Sequence, residues 1–172
     1  NNTPFEKVRK NISFGSNVII YGNNVLESEE HVNELVIKHG FIKIHPFNDY
    51  DIIYGQGTLM LEMLEKHPNL SKVYIPVGGG GLIAGCSLIA KHLNKNINII
   101  GVETENFPSL YNSFYKKNKQ FYRSTIAEGV AVNKIGKKNL AIIKKYVDKT
   151  VLVKESTIEK AISQFLISDK TL

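Results

Sequence analysis

Residues 73–88 read VYIPVGGGGLIAGCSL, and this stretch decides the fold. An apolar, β-rich run over residues 73–77 leads into four glycines, and a second apolar run begins at Leu82. A strand that continues through a loop without side chains into a helix leaves backbone N–H groups bare at the positive end of the helix dipole. Because this arrangement binds phosphate, we predict an anion site at the loop.

The segments on either side of this stretch alternate between helical and strand patterns. Helices are predicted over residues 4–14, 27–39, 58–66, 82–93, 137–146 and 156–168. Strands are predicted over residues 18–21, 41–44, 73–77, 97–102 and 150–153. Residues 45–57 are predicted to form a loop or short turn, and a capping box from Ser156 to Glu159 is predicted to open the last helix. The alternation predicts an α/β protein with a largely parallel sheet.

Composition and charge are typical of an ordinary globular protein. Of the 172 residues, 42% are hydrophobic and 22% are charged. No apolar stretch approaches the ~20 residues that cross a bilayer. The net charge of +6 comes from 20 scattered lysines and only 2 arginines, which favours a solvated surface over a nucleic-acid patch. A single cysteine, Cys86, cannot form an internal disulfide, so we predict an intracellular protein with Cys86 as a small core residue.

Two common nucleotide motifs do not fit the glycine loop. No Gly-Lys-Ser/Thr follows it, as a P-loop would require. The glycine spacing differs from a dinucleotide fingerprint, although Glu103 lies about 20 residues further on, as an acidic ribose ligand would. We therefore predict that the loop binds the phosphate of a mononucleotide-like ligand or of a phosphorylated cofactor.

The amino-acid sequence of the glycine loop is similar to that of a known family. Residues 76–85 resemble the phosphate loop of the pyridoxal-phosphate-dependent family that contains threonine dehydratase (threonine ammonia-lyase), serine dehydratase and serine racemase. Residues 3–15, 45–62, 100–103 and 125–132 resemble further segments of that family in the same order. The resemblance implies incomplete parallel-sheet units of the tryptophan-synthase-β-like fold, called fold type II. It also implies that residues 1–45 end a small domain and that residues 46–172 form the centre of a large cofactor-binding domain.

The resemblance implies a set of cofactor-binding residues, and the family's Schiff-base lysine is expected to be absent from this chain. The residues expected at the cofactor, pyridoxal phosphate, are Gly78, Gly79, Gly80, Gly81, Leu82 and Gly129, with a simple turn as the alternative for Gly129. No lysine stands in the Ser-Phe-Lys setting of the family's Schiff-base lysine, and no Gly-Asn-His segment occurs. The chain is therefore expected to be an internal fragment that cannot run the family's chemistry unaided.

Three further residues, two acidic and one histidine, also carry expectations. Asp49 resembles an acidic position near the substrate, with a turn former as the alternative, and His45 is expected to be a structural turn residue. Glu103 resembles the carboxylate that binds a divalent cation in racemase-like members. The partner Asp expected six residues later is replaced by Ser109, a poor ligand for hard cations, which weighs against a cation site.

The function implied is a segment of a threonine or serine ammonia-lyase, which eliminates the β-hydroxyl of L-threonine or L-serine to give a 2-oxo acid and ammonia. The alternatives are a serine racemase-type member, a catalytically inactive remnant kept as a binding module, and an unrelated phosphate-ligand domain. The resemblance also implies a hydroxy amino acid substrate and a homo-oligomer, with no nucleic-acid or membrane partner. The expected location is the cytoplasm, and a location in an organelle is the alternative. A role in isoleucine biosynthesis would fit this family. Because neighbours are expected to be missing, Ile142, Ile143 and Val147 are predicted to lack packing partners.

Overall fold

The computed structural model describes residues 3–23, 25–122 and 124–168. The chain forms two compact units, Asn1–Ile44 and His45–Leu172. Their division lies next to the domain boundary that the sequence predicts. The assignment of these units to a small and a large cofactor-binding domain remains a prediction.

The first unit contains two helices, α1 (Phe5–Ser13) and α2 (Val25–His39). Helix α2 ends before Gly40, whose φ of +69° is the left-handed conformation that glycine adopts without strain. The strands predicted over residues 18–21 and 41–44 are wrong. Among the described residues neither segment pairs with a neighbouring strand, and a strand requires such a hydrogen-bonded partner.

The second unit alternates helices and strands along the chain. Its helices are α3 (Tyr50–Lys66), α4 (Gly81–Leu93), α5 (Ser109–Tyr115), α6 (Lys137–Tyr146) and α7 (Glu155–Ser168). Its strands are β1 (Lys72–Pro76), β2 (Asn98–Thr104) and β3 (Lys149–Val153), and a single 3₁₀ turn covers Glu128–Val130.

The three strands form one sheet in the order β1-β2-β3, and both neighbouring pairs are parallel. Lys72 lies opposite Asn98, and Ile100 lies opposite Lys149. The prediction of an α/β chain with a parallel sheet is confirmed. Because the strands are parallel, the loops that follow β1, β2 and β3 leave from the same edge of the sheet, which is the edge where α/β proteins bind ligands.

Helix α3 begins eight residues earlier than the sequence predicts, so the loop expected over residues 45–57 is wrong beyond Asp49. The Asp49 carboxylate accepts a hydrogen bond from the backbone N–H of Asp51 (3.1 Å) and thereby caps the helix. Gly57 lies within α3 because α3 and α4 approach each other backbone to backbone. A side chain at Gly85 of α4 would overlap the backbone of Ile53. Packing therefore overrides the helix-breaking tendency of the glycines.

The last helix begins at Glu155, so the predicted capping box is wrong: Ser156 already lies inside the helix. The Glu155 carboxylate instead contacts residues outside its own helix, as described below.

The core of the second unit lies between the sheet and helices α3, α4 and α6. Ile143 is completely buried and Val147 nearly so, while Ile142 packs against the same core. The prediction that these three residues lack partners is therefore wrong. Cys86 is also buried, and its burial raises the pKa of the thiol to about 11, in keeping with a core residue.

None of the helices among the described residues is both long and apolar enough to span a bilayer.

Candidate phosphate-binding site

The glycine loop connects β1 directly to α4 at the ligand edge of the sheet. The Val77 N–H donates to the Val102 carbonyl (2.9 Å) and continues the β1–β2 ladder up to the loop. Gly80 has φ of +91°, and its carbonyl accepts the first hydrogen bond of α4, from the Ala84 N–H (3.0 Å). A residue with a side chain would be strained at Gly80, so this position requires glycine.

The loop presents a series of free hydrogen-bond donors. Within the described part of the chain, none of the backbone N–H groups of residues 78–83 donates to a protein acceptor. These groups lie at the N-terminus of α4, a helix of 13 residues, where the helix dipole favours negative charge. Free donors at the positive end of a helix match the needs of a phosphate group.

The glycines leave no room for side chains. A Cβ atom on Gly79 would overlap the ring of Phe47, and one on Gly81 would lie 3.2 Å from the Phe47 Cβ. On the opposite side, a Cβ on Gly78 would lie 3.1 Å from Val130 Cα and 3.3 Å from the Gly129 carbonyl oxygen. The loop is thus packed between Phe47 and the 3₁₀ turn Glu128–Val130.

Gly129 lies in this 3₁₀ turn and is exposed, with open space around the position of a side chain. The fold brings Gly129 next to Gly78, although the two residues are far apart in sequence. The residues that the sequence associates with the cofactor, Gly78 to Gly81, Leu82 and Gly129, therefore form one cluster.

Glu155 anchors the segment that carries Gly129. Its carboxylate accepts hydrogen bonds from the Thr104 hydroxyl, the Thr125 hydroxyl (2.8 Å) and the Ile126 N–H (3.0 Å). Burial raises the pKa of Glu155, but these three donors outweigh burial and the net pKa lies below the ordinary value. Glu155 therefore joins the ends of β2 and β3 to the segment over residues 124–130.

A second anchor comes from α6. The Gly79 carbonyl accepts hydrogen bonds from the Gly136 N–H (3.1 Å) and from the Asn139 side-chain Nδ2 (2.8 Å). Asn139 is completely buried. The sequence predicts no role for Asn139 or Glu155, because their partners are distant in the chain. Gly79 lies 60 residues from Asn139, and Thr125 and Ile126 lie 30 and 29 residues from Glu155.

Asp49 makes the contacts of a turn and capping residue. In addition to capping α3, its carboxylate pairs with Lys138 Nζ (3.1 Å). The Lys138 hydrogen bond is the main reason that the pKa of Asp49 lies below its ordinary value. His45 fits its expected structural role, since its Nδ1 accepts from the N–H groups of Phe47 (3.2 Å) and Asn48 (2.9 Å).

Glu103 is only 1% exposed, and its two carboxylate oxygens are engaged by the start of α5. They accept hydrogen bonds from the N–H groups of Leu110 (2.7 Å) and Tyr111 (2.7 Å) and from the Ser109 hydroxyl (3.2 Å). Burial raises the pKa of Glu103 to about 7, despite these donors, which lower it. Among the described residues, no group of three or more His, Cys, Asp or Glu side chains is arranged to hold a metal ion.

Comparison with known proteins assigns the family. Residues 1–171 match the family model described as pyridoxal-phosphate dependent enzyme. The chain belongs to this family. The free donors and missing side chains of the glycine loop fit the phosphate of the family's cofactor, pyridoxal phosphate. The predicted fold class, parallel-sheet units of the type II pyridoxal-phosphate enzymes, is confirmed as well.

Individual members of the pyridoxal-phosphate dependent family resemble the chain over nearly its whole length. L-threonine ammonia-lyase of Thermotoga maritima is 41% identical over 161 residues, which is 92% of this chain and 40% of the relative. The processed form of threonine deaminase isoform 2 from Solanum lycopersicum superposes with a TM-score of 0.91 at 34% identity, covering 99% of this chain and 48% of that structure. Serine racemase of Dictyostelium discoideum superposes with a TM-score of 0.88 at 32% identity, covering 99% and 55%. The chain spans about half the length of the relatives it matches, or less.

Proposed function

We propose that this chain is part of a pyridoxal-phosphate-dependent ammonia-lyase that acts on L-threonine or L-serine. The 41% identity to a threonine ammonia-lyase supports this choice of reaction. The observation that carries the proposal is the row of unpaired N–H groups over residues 78–83 at the start of α4, because it supplies a site for the cofactor phosphate.

In this proposal the chain's own residues hold and orient the cofactor. The N–H groups of residues 78–83 would bind the phosphate, and the backbone at Gly129, which the fold places next to Gly78, would contact the rest of the cofactor. When bound, pyridoxal phosphate acts as the electron sink for loss of the proton on the substrate Cα. Fixing the phosphate at a rigid strand–helix junction fixes the position of the reacting carbon, which is how the loop contributes to rate.

The roles of the two acidic residues follow from their contacts. Asp49 is proposed to support the site as the cap of α3 and the partner of Lys138, with an approach to substrate as the alternative. Glu103 is proposed to hold α5 in place and not to bind a divalent cation, because both its oxygens already accept hydrogen bonds.

The experiment is an assay of the full-length protein, since the chain spans only part of its relatives. The protein, loaded with pyridoxal phosphate, is incubated separately with L-threonine and with L-serine, and 2-oxo acid and ammonia are measured. We expect both products in equal amounts from at least one substrate. A cofactor-loaded, folded protein that forms neither product from either substrate would contradict the proposal and favour the inactive binding module.

A second candidate is a racemase-type activity, which the similarity to serine racemase of Dictyostelium discoideum favours. Chiral chromatography of the L-serine reaction distinguishes the two. Formation of more D-serine than 2-oxo acid would contradict the ammonia-lyase proposal and support the racemase.

Three finer assignments rest on the family resemblance alone: a cytoplasmic location, a homo-oligomeric assembly and a role in isoleucine biosynthesis. Light scattering of the full-length protein tests the assembly, and growth of a deletion strain with and without isoleucine tests the metabolic role.

A further inference from the structure

The peptide group between Gly79 and Gly80 is held from one side by two donors. The Gly136 N–H lies 3.1 Å and the Asn139 Nδ2 lies 2.8 Å from the Gly79 carbonyl oxygen. Both donors belong to the start of α6, a helix that contributes none of the free N–H groups described above.

Planarity transfers this constraint to the phosphate site. The described peptide bonds are all trans, so the C=O of Gly79 and the N–H of Gly80 point in opposite directions within one plane. With the carbonyl turned toward α6, the Gly80 N–H must point away from α6. This N–H has no protein acceptor within the described part of the chain.

Glycine needs such a constraint more than other residues do. Gly79 and Gly80 have no side chains, and glycine occupies both left-handed and right-handed conformations readily. The 79–80 peptide could therefore rotate if its carbonyl were not held, and the Gly80 N–H would then leave the row of free donors.

The burial of Asn139 supports a specific role. Its side chain is completely buried, and its Oδ1 has no hydrogen-bond partner among the described residues. An unsatisfied buried amide oxygen is destabilising, so the amide is not explained by a contribution to core stability. Within the described ranges, the side-chain amide makes one hydrogen bond, which is the one to the Gly79 carbonyl.

We propose that Asn139 is a positioning residue for cofactor binding, which holds the 79–80 peptide so that the Gly80 N–H is presented to the cofactor phosphate. The inference rests on the proposed function, because it assumes that residues 78–83 bind that phosphate.

Two variants remove the same contact by independent routes. Asn139→Leu replaces the amide by an apolar group of similar size. Gly136→Ala keeps Asn139, but its new Cβ would lie 2.7 Å from the Asn48 Oδ1 and 2.8 Å from the Asn139 Nδ2, so it would displace the Asn48 side chain as well as push the Asn139 amide away from Gly79. Thr150→Val is the matched control, because among the described residues Thr150 is the other buried residue with an unpartnered side-chain oxygen, and it lies in β3 and not in the loop or α6.

The measurement is the ratio of the dissociation constants for pyridoxal and pyridoxal phosphate, determined on the full-length protein after removal of its cofactor. The ratio isolates the contribution of the phosphate. We expect it to fall about tenfold in Asn139→Leu and in Gly136→Ala, as loss of one hydrogen bond to a charged group implies, and to stay unchanged in Thr150→Val. The ³¹P resonance of the bound cofactor should shift in the two variants and not in the control.

Each other outcome has a definite meaning. Folded variants with a lowered unfolding temperature but the wild-type ratio and ³¹P shift would overturn the proposal and leave Asn139 a structural residue. If Asn139→Leu does not fold, the ratio of dissociation constants and the ³¹P shift of Gly136→Ala test the proposal in the same way. A wild-type protein that binds pyridoxal and pyridoxal phosphate equally well would overturn the phosphate site itself, and with it the role of Asn139.

Discussion

Single residues in this chain are selected by what surrounds them, and the glycine loop is the clearest case. Gly79 is required because Phe47 occupies the space of a side chain, and Gly80 is required by its left-handed conformation. Gly55 has no neighbour in the space of a side chain and so has no comparable constraint. Substitution of one glycine in this chain would therefore destabilise the fold more than substitution of another.

Glu103 gives a prediction about pH at the same scale. Its pKa of about 7 in the folded protein lies above the ordinary value of 4.5, so the folded state binds the proton more tightly than the unfolded state. The resulting stability is complete below pH 4.5 and is lost as the pH rises through 7. We expect Glu103→Gln to gain stability relative to wild type between pH 5 and pH 8, by at most about 3 kcal/mol.

Chemical denaturation of the full-length protein at several pH values measures this difference. Glu62→Gln is the control, because Glu62 is an exposed residue of α3. A difference between Glu103→Gln and wild type that stays constant from pH 5 to pH 8 would be incompatible with this account of Glu103.

At the scale of elements, helix starts in this chain are used to fix loops. The first residue of α7, Glu155, holds the segment over residues 124–130, and the start of α6 holds the glycine loop. Asp49 at the start of α3 likewise pairs with Lys138 of α6. The helices therefore position the loops as well as pack the core.

Replacing Glu155 tests this arrangement. In Glu155→Ala the segment over residues 124–130 loses the acceptor of two hydrogen bonds, from the Thr125 hydroxyl and the Ile126 N–H, so we expect its amide hydrogens to exchange roughly tenfold faster in the full-length protein. Hydrogen–deuterium exchange with mass spectrometry measures the effect. Because the pKa of Glu155 lies below its ordinary value, the anchor should persist until acidic pH and weaken as the pH falls through that lowered pKa.

Glu159→Ala provides the control on the same helix. The sequence predicts a capping role for Glu159, whereas in the structure Glu155 makes the contacts to residues 124–130. If the amide hydrogens of residues 124–130 exchanged faster in Glu159→Ala but at the wild-type rate in Glu155→Ala, Glu155 would not be the residue that holds this segment.

How far the sequence predicts each element depends on how local its causes are. The strand–glycine–helix junction, α6 and β3 are determined by patterns within a few residues, and their predicted bounds lie within one residue of the structure. The start of α3 was missed because Gly55 and Gly57 read as a loop, while the packing of α3 on α4 depends on Gly85, 28 residues beyond Gly57. Asn139 could not be recognised for the same reason, since its partner Gly79 is 60 residues away.

At the scale of the whole molecule, the parallel sheet explains why the site forms where it does. The loops after β1 and β2 and the start of α7 after β3 leave the same edge of the sheet. This edge brings together the glycine loop, the turn that contains Gly129, and the anchors Glu155 and Asn139. The chain thus contains the glycine loop together with its supports, and the curated relatives that it matches are about twice its length or more.

The central claim is that residues 78–83 hold the cofactor by its phosphate, and a direct test is to compare pyridoxal phosphate with pyridoxal in calorimetric titrations of the full-length protein. Wild type and the control Gly55→Ala should bind pyridoxal phosphate at least about 100-fold more tightly than pyridoxal, because several charge-assisted hydrogen bonds depend on the phosphate. Gly79→Ala, whose new side chain would overlap Phe47, should lose most of this preference. A folded Gly79→Ala protein that keeps the full wild-type preference would contradict the claim.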